Sequence, residues 1–169
     1  SLAVEGFSKD GVLSFVKSGF CCSPEQASWF ERYVNVWSVR YNRFLTPFTR
    51  PIAGFLSREE TEEERIMRQG AEAVRQTVTE TVNGFKARCE NATVREISTA
   101  LYQVLEDLGV AAKLEKNAEE YRNYREYELA ARQKKVYEQL ILALDELVLT
   151  AGRDGITLKE YRDLFFSVI

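Results

Sequence analysis

Four short segments of this chain carry the pattern of a helix start, and each precedes a run of apolar residues with helical spacing. They are residues 23–26, 57–60, 93–96 and 157–160. In each, a Ser or Thr is followed three positions later by Glu or Gln, so the two side chains can satisfy backbone N–H groups that lack a partner inside the helix. Residues 117–120 are a weaker version, beginning with Asn117. This repetition predicts an all-α fold.

The apolar spacing indicates where the helices run. Steps of three and four residues follow residue 57 and mark one helical face, at Met67, Ala71, Val74, Val78, Val82, Phe85 and Cys89. A second helix follows Thr93 and ends at Gly109, a typical residue just past a helix end. A third is expected over about 118–149, and the turn at 151–155 leads into the last. We expect about six helices, several long and amphipathic, packed as an irregular bundle.

The length of 169 residues fits one domain. We expect a single helical domain over 1–169, with short N-terminal helices and an aromatic and arginine-rich segment in 1–45. Pro47 and Pro51 predict a loop over 46–56, because proline removes a backbone donor and disfavours helical geometry before it. The remaining 57–169 are expected to form the helical bundle.

The chain contains no histidine, which excludes whole classes of chemistry. Serine or cysteine nucleophiles activated by histidine, and metal sites ligated by histidine, cannot be built from it. Its three cysteines, Cys21, Cys22 and Cys89, show no CxxC pair and are expected to be buried, inert thiols. The acidic runs at 59–64 and 119–120 lie at expected helix starts, where neighbouring carboxylates do not converge on one metal ion.

Phosphate-loop and dinucleotide-binding glycine motifs are also absent from the sequence. The longest strictly apolar run, at 140–144, has five residues, whereas a membrane-spanning helix needs about 20. We therefore expect a soluble, cytoplasmic chain with no membrane contact. Because it begins with Ser1 rather than Met, we also expect a piece of a longer protein.

One stretch differs in composition and provides the candidate binding site. Between Glu31 and Glu59 there is no acidic residue, and aromatic residues alternate with arginines. Aromatic rings stack on unpaired bases for about 1–3 kcal/mol each, while guanidinium groups hold the phosphate backbone. The candidate DNA contacts are Trp37, Arg40, Tyr41 and Arg43. The structural alternative, which we favour, is that Trp37, Tyr41 and Phe44 form the core face of a helix with both arginines in solvent.

A second group of basic residues is interspersed with Glu120, Glu126 and Glu128. Such a mixed-sign face is typical of a solvated surface rather than a nucleic-acid stripe. The basic residues are Arg122, Arg125, Arg132, Lys134 and Lys135.

Three regions of the chain resemble the B subunit (AddB or RexB) of bacterial ATP-dependent helicase-nucleases. Residues 11–20, GVLSFVKSGF, and 31–37, ERYVNVW, are similar to the family pattern "vFxFLK[ST]GL" followed by "ENYVLaygI". TVRE at 93–96 and LEDLGV at 105–110 resemble "TVRE…LeeLGV". LDELV at 144–148 and ITLKEY at 156–161 are similar to "LLDELVe…isLeeF". The resemblance is collinear over nearly the whole chain.

The resemblance implies a segment of about a seventh of a longer polypeptide. It would be a helical insertion comparable to the 2B accessory subdomain of superfamily 1 helicases, in a protein that pairs with an AddA-type helicase-nuclease and processes DNA double-strand breaks. The family's ATP, magnesium and iron–sulfur cluster would lie outside this segment, and no catalytic, cofactor or metal residue carries over. We expect the segment itself to be inactive. The alternative is a free-standing α-helical protein-interaction module.

Overall fold

The computed structural model describes residues 2–55, 58–150 and 154–168. Within them the chain forms eight α-helices and one 3-10 helix, and no strand, so the predicted all-α class is confirmed with more helices than the six expected. The elements are α1 (Leu2–Glu5), α2 (Lys9–Lys17), α3 (Pro24–Val36), the 3-10 helix (Tyr41–Leu45), α4 (Glu62–Arg88), α5 (Val94–Asp107), α6 (Val110–Asn123), α7 (Tyr127–Thr150) and α8 (Leu158–Val168).

The chain divides into two compact units, Ser1–Gly84 and Phe85–Ile169, each with its own core. The boundary falls near the end of α4. Among the described residues, no helix has both the length and the apolar character needed to cross a membrane.

Three of the predicted helix starts are present as expected from the sequence. Ser23 and Gln26 exchange bonds at the start of α3, where the Gln26 N–H donates to Ser23 Oγ at 3.2 Å and Gln26 Oε1 accepts from the Ser23 N–H at 3.1 Å. The same kind of reciprocal pair caps two further helices, with Thr93 and Glu96 at the start of α5 and Thr157 and Glu160 at the start of α8. The carboxylates accept two bonds from the capping Thr, which lowers the pKa of Glu96 and of Glu160.

The predicted start at residues 57–60 is different. Ser57 lies outside the described residues, and α4 begins later, at Glu62, where Thr61 and Glu64 form the reciprocal pair. Glu64 also accepts two bonds from the Arg58 guanidinium, at 2.7 and 2.8 Å. These bonds from Arg58, followed by the bond from the Thr61 N–H, lower the pKa of Glu64 to about 2.

The prediction of a single helix over 118–149 is wrong, because the chain turns between α6 and α7. Arg125 has a φ of 63°. Its N–H donates to the Arg122 carbonyl at 3.0 Å, and the Glu126 N–H donates to the Tyr121 carbonyl at 2.8 Å. These two bonds are the Schellman pattern that ends a helix. Asn117, predicted to cap a helix weakly, instead lies inside α6.

The core of the first unit is aromatic. Phe30 of α3 stacks on Phe44 with ring centroids 6.1 Å apart, and Tyr33 stacks on Phe48 at 4.1 Å. Valine and alanine of α2 and α4 close this cluster, with Val12, Val16, Ala71, Val74 and Val78 buried. The predicted apolar face of α4 is therefore confirmed in this unit.

A glycine sets the approach of α3 to α4. A Cβ on Gly70 would lie 2.5 Å from Cε3 of the Trp29 indole, which is closer than two carbon atoms can approach without a clash. Gly70 therefore forms a notch in α4 that receives the Trp29 ring. This close approach accounts for a glycine in the middle of a long helix, where it costs about 1 kcal/mol relative to alanine.

A charged pair on α4, the buried Arg75 with the half-buried Glu72, holds the chain that follows α3. The Arg75 guanidinium donates to both carboxylate oxygens of Glu72, at 2.6 and 2.7 Å, and to the Phe44 carbonyl at 3.0 Å. Glu72 in turn accepts the Phe48 N–H at 2.8 Å. Burial favours a raised pKa for Glu72, but the bonds from Arg75 and Phe48 outweigh it and lower that pKa.

The second unit packs α5, α7 and α8 around a smaller core. Cys89, Ile97, Leu147 and Tyr161 are buried in it, and the Tyr161 hydroxyl shares a 2.9 Å hydrogen bond with Ser98. On α7, Leu144 and Leu147 are buried, whereas Leu129 and Val136 are exposed.

The Glu72–Arg75 pair predicts a specific acid sensitivity. Because the pKa of folded Glu72 lies below its ordinary value of 4.5, its stabilisation is complete above pH 4.5 and is lost as the pH falls through the folded pKa. Glu72→Gln should lower the free energy of unfolding by about 2 kcal/mol at neutral pH. That difference should shrink below pH 4.5 in urea denaturation. Glu80→Gln, exposed on the same helix, is the control, and a Glu72→Gln difference that does not change with pH would contradict the assignment.

Two Gly→Ala substitutions should have opposite effects. Gly109 ends α5 at a φ of 62°, where a Cβ costs about 1 kcal/mol, so Gly109→Ala should lower the free energy of unfolding by that amount. Gly84 lies inside α4, and a Cβ placed there would have no atom within 4 Å beyond the neighbouring backbone of its own helix. Gly84→Ala should therefore raise the free energy of unfolding by about 0.5–1 kcal/mol. Thermal melting measures both, and shifts of the same sign would refute this interpretation of Gly109.

Candidate nucleic-acid interface

The aromatic–arginine segment, defined as residues 37–50, is not a continuation of α3. The helix ends at Val36, and Ser38 takes a φ of 48°. The Val39 N–H donates to the Val34 carbonyl at 3.0 Å, and the Ser38 N–H donates to the Asn35 carbonyl at 3.3 Å. This is again a Schellman end, with serine where glycine is usual. The chain therefore leaves the helical path directly after Trp37.

The prediction that Trp37, Tyr41 and Phe44 form the core face of one helix is consequently wrong. Phe44 is buried in the core, but Tyr41 begins the 3-10 helix with 62% of its surface exposed. Tyr41 has a φ of 50°, which is costly for a bulky residue, and its N–H donates to the Phe7 carbonyl at 2.9 Å. The expectation that both arginines point to solvent is confirmed, since Arg40 and Arg43 are exposed.

Trp37 is half-buried and has its own partners. Its Nε1 donates to the Pro51 carbonyl at 3.0 Å, and the Arg50 guanidinium lies 4.8 Å from the ring centroid. The ring of Phe55, which is 95% exposed, meets Trp37 edge-on at 5.0 Å. A base could stack on the face that Arg50 covers only if Arg50 moved away.

The arginines of this region differ from those on α4. Four arginines here are exposed and make no ion pair among the described residues, namely Arg32, Arg40, Arg43 and Arg50. In contrast, Arg68 of α4 pairs with Glu60 at 3.0 Å. The segment therefore presents cationic groups that no carboxylate within the described residues neutralises.

Three bonds hold the segment on the core. The Phe44 carbonyl accepts from Arg75, the Phe48 N–H donates to Glu72, and the Arg50 N–H donates to the Tyr33 hydroxyl at 3.1 Å. Burial raises the pKa of Tyr33 despite the nearby Arg50, so this hydroxyl stays neutral. The backbone of the segment is thus fixed while its outer side chains face solvent.

The structure places Trp37, Arg40, Tyr41 and Arg43 on one short stretch but shows no hydrogen bond or ring contact between any two of them among the described residues. Trp37 contacts Arg50 and Phe55 instead, which the sequence did not identify as its partners. The signal for Arg50 was its place in the acid-free stretch, whereas no pattern marked Phe55. Chemically, exposed guanidinium groups beside an exposed ring can bind a phosphate chain and stack a base.

The thiols and carboxylates of the described residues do not form a metal site. In the described part of the chain, no group of three or more Cys, Asp or Glu side chains is arranged to hold a metal ion. All three cysteines are thiols rather than disulfides. Cys89 is buried as expected, and burial raises its pKa to about 11, while Cys21 and Cys22 are only half-buried. Their donor set does not fit an iron–sulfur cluster, which takes four cysteine thiolates, and no magnesium ligand set is formed within the described ranges.

Comparison with known proteins identifies relatives along nearly the whole chain. It is 25% identical over 95% of its length to the B subunit of an ATP-dependent helicase/deoxyribonuclease of Alkaliphilus oremlandii, and 24% identical over 93% to that of Desulforudis audaxviator. The corresponding protein of Desulforamulus reducens is 35% identical over 52% of the chain. No family model matches the chain.

The resemblance to the helicase-nuclease B subunit is therefore confirmed. Seven relatives with this name align over 92–98% of the chain at 22–25% identity. The chain spans only about 14% of the length of the curated relatives it matches.

The environment of Cys89 predicts its reactivity. With a pKa near 11 and a buried sulfur, it should resist Ellman's reagent in mildly alkaline buffer until the chain unfolds. Native protein should therefore titrate at most two thiols and denatured protein three. Cys89→Ala is the control and should leave the native count unchanged. Rapid labelling of all three thiols without denaturant would contradict the burial of Cys89.

Proposed function

We propose that this chain is a non-catalytic helical accessory region of the B subunit of an ATP-dependent helicase/deoxyribonuclease that processes DNA double-strand breaks for recombinational repair. The observation that carries the proposal is the alignment over almost the whole chain with relatives of that name. The sequence contains no histidine, so the region carries no histidine-based catalytic site.

The same proposal includes the surroundings of the region. The longer protein would work with an AddA-type helicase-nuclease partner in the cytoplasm, and ATP, magnesium and an iron–sulfur cluster would be bound by other parts of that assembly. The relatives are about seven times longer than the segment they share with this chain, which leaves room for those parts.

Within this region we assign the DNA contact to the aromatic–arginine segment. Arg40 and Arg43 are exposed without carboxylate partners among the described residues, and they flank the exposed Tyr41. Guanidinium groups bind phosphate and an exposed ring stacks on a base, so this order of residues suits a single strand. Trp37 enters the proposal as the residue that positions Arg50, because that guanidinium covers its ring.

One observation favours the alternative of a protein-interaction module. The second unit exposes several large apolar side chains on α7 and α8, which a protein partner could cover. These residues are Val136, Leu142, Leu149 and Phe166. An accessory region of a larger assembly also needs such contacts, so DNA binding is the property that separates the two functions.

The test is single-strand affinity of the purified chain, measured by the anisotropy of labelled oligothymidine. Arg40→Ala combined with Arg43→Ala should weaken binding on the order of tenfold and reduce the salt slope by about 1.4, because two phosphate contacts are lost. Tyr41→Ala should weaken binding at least about fivefold, while Tyr41→Phe keeps the ring and the affinity.

The matched control is the double variant Arg88→Ala and Arg95→Ala, two exposed arginines of the second unit. It removes the same charge and should change affinity little. Equal losses in both double variants would mean that the segment is not a specific contact. ATP hydrolysis or metal-dependent DNA cleavage by the purified chain would overturn the non-catalytic assignment.

A further inference from the structure

The turn between α6 and α7 exposes aromatic residues among arginines, in the same kind of order as residues 40–44. Tyr124 is 80% exposed and Tyr127 is 66% exposed, and they alternate with Arg122 and Arg125. The two Schellman bonds that end α6 fix this backbone, so the rings are displayed from a rigid turn rather than from a mobile loop. Two large rings facing water on one turn indicate a surface that another molecule covers.

A groove of about 480 Å³ begins at this turn and runs along α7. Its polar lining consists of Arg122, Lys134 and Lys135 with one carboxylate, Glu138, and Tyr127 forms part of its wall. Two alanines of α7, Ala130 and Ala131, complete its lining. The volume lies in the roughly 300–1,000 Å³ range of small-ligand sites. The lining thus carries three cations and one carboxylate, and a second carboxylate, Glu115, pairs with Arg122.

The ion pairs in this groove are weak enough for a phosphate to replace. Lys134 lies 3.9 Å from Glu138, and Arg122 bonds Glu115 at 3.2 Å, both between exposed side chains. Exposed pairs contribute about 0–1 kcal/mol and are screened by salt. Lys135 has no carboxylate partner among the described residues. Successive phosphates of a nucleic-acid backbone would offer these cations charge-assisted hydrogen bonds in place of the exposed ion pairs.

We propose that this groove binds single-stranded nucleic acid, with the phosphate backbone held by Arg122, Lys134 and Lys135 and an unpaired base stacked on Tyr127. A single strand suits the site because a base inside a duplex has no free face for the tyrosine ring. The site belongs to the second unit, and it does not depend on whether the aromatic–arginine segment contacts DNA. The mixed-sign surface expected from the sequence at these lysines is thereby given a binding role.

Anisotropy of labelled oligothymidine with the 169-residue chain tests the groove. Lys134→Gln combined with Lys135→Gln should weaken binding on the order of tenfold and lower the salt slope by about 1.4. Tyr127→Leu, which keeps apolar bulk but loses the ring face, should weaken binding at least about fivefold, whereas Tyr127→Phe should not.

The charge-matched control is Lys86→Gln with Lys159→Gln, two exposed lysines of the second unit that do not line the groove. If this control loses as much affinity as the groove variant, binding is a general charge effect and the site is overturned. Circular dichroism of each variant confirms that the helices are intact, so a loss of affinity reports the groove rather than unfolding.

Photocrosslinking separates this site from the aromatic–arginine segment. Oligonucleotides carrying 5-iodouracil should crosslink to Tyr127, and should still do so when Arg40 and Arg43 are both replaced by alanine. Crosslinks confined to Tyr41 would overturn the groove and leave the proposed contact at the segment. Crosslinks confined to Tyr127 would do the reverse.

Discussion

The first unit depends on one charged pair, the buried Arg75 with the half-buried Glu72. The Arg75 guanidinium could not be buried alone, because an unpaired buried ion costs several kcal/mol. Together they also satisfy two backbone groups, the Phe44 carbonyl at the end of the 3-10 helix and the Phe48 N–H in the loop that follows it. These side-chain bonds therefore take the place of the backbone hydrogen bonds that a longer helix would have provided. They let an irregular segment lie on an aromatic core.

Sequence patterns that span a few residues correctly predicted the structural features that depend on those residues alone. The Ser23, Thr93 and Thr157 caps need only residues three apart, and they form as expected. The helix ends after Trp37 and Tyr124 could not be predicted in this way, because Ser38 and Arg125 occupy left-handed positions that glycine usually marks. Tertiary bonds and packing offset the strain of those conformations, and a single sequence does not display them.

The candidate site shows the same division. The acid-free composition around Arg40 and Arg43 correctly indicated exposed, unneutralised cations. The pairing of Trp37 with Arg50 and Phe55 depends on where the loop after the 3-10 helix returns, which spacing alone does not specify. The B-subunit resemblance was recognisable because its motifs consist of helix caps and apolar positions. These features of a helical region can be identified from short sequence patterns.

The Gly70 notch has a mechanical consequence for any ligand of the first unit. With the Trp29 ring seated on Gly70, α3 cannot slide along α4 by a residue without driving the indole into a Cβ or a backbone turn. Both ends of the irregular chain between these helices are then pinned in register. If the DNA contact proposed above forms at this surface, the strand would meet guanidinium groups whose backbone is already ordered, so binding would cost little chain entropy.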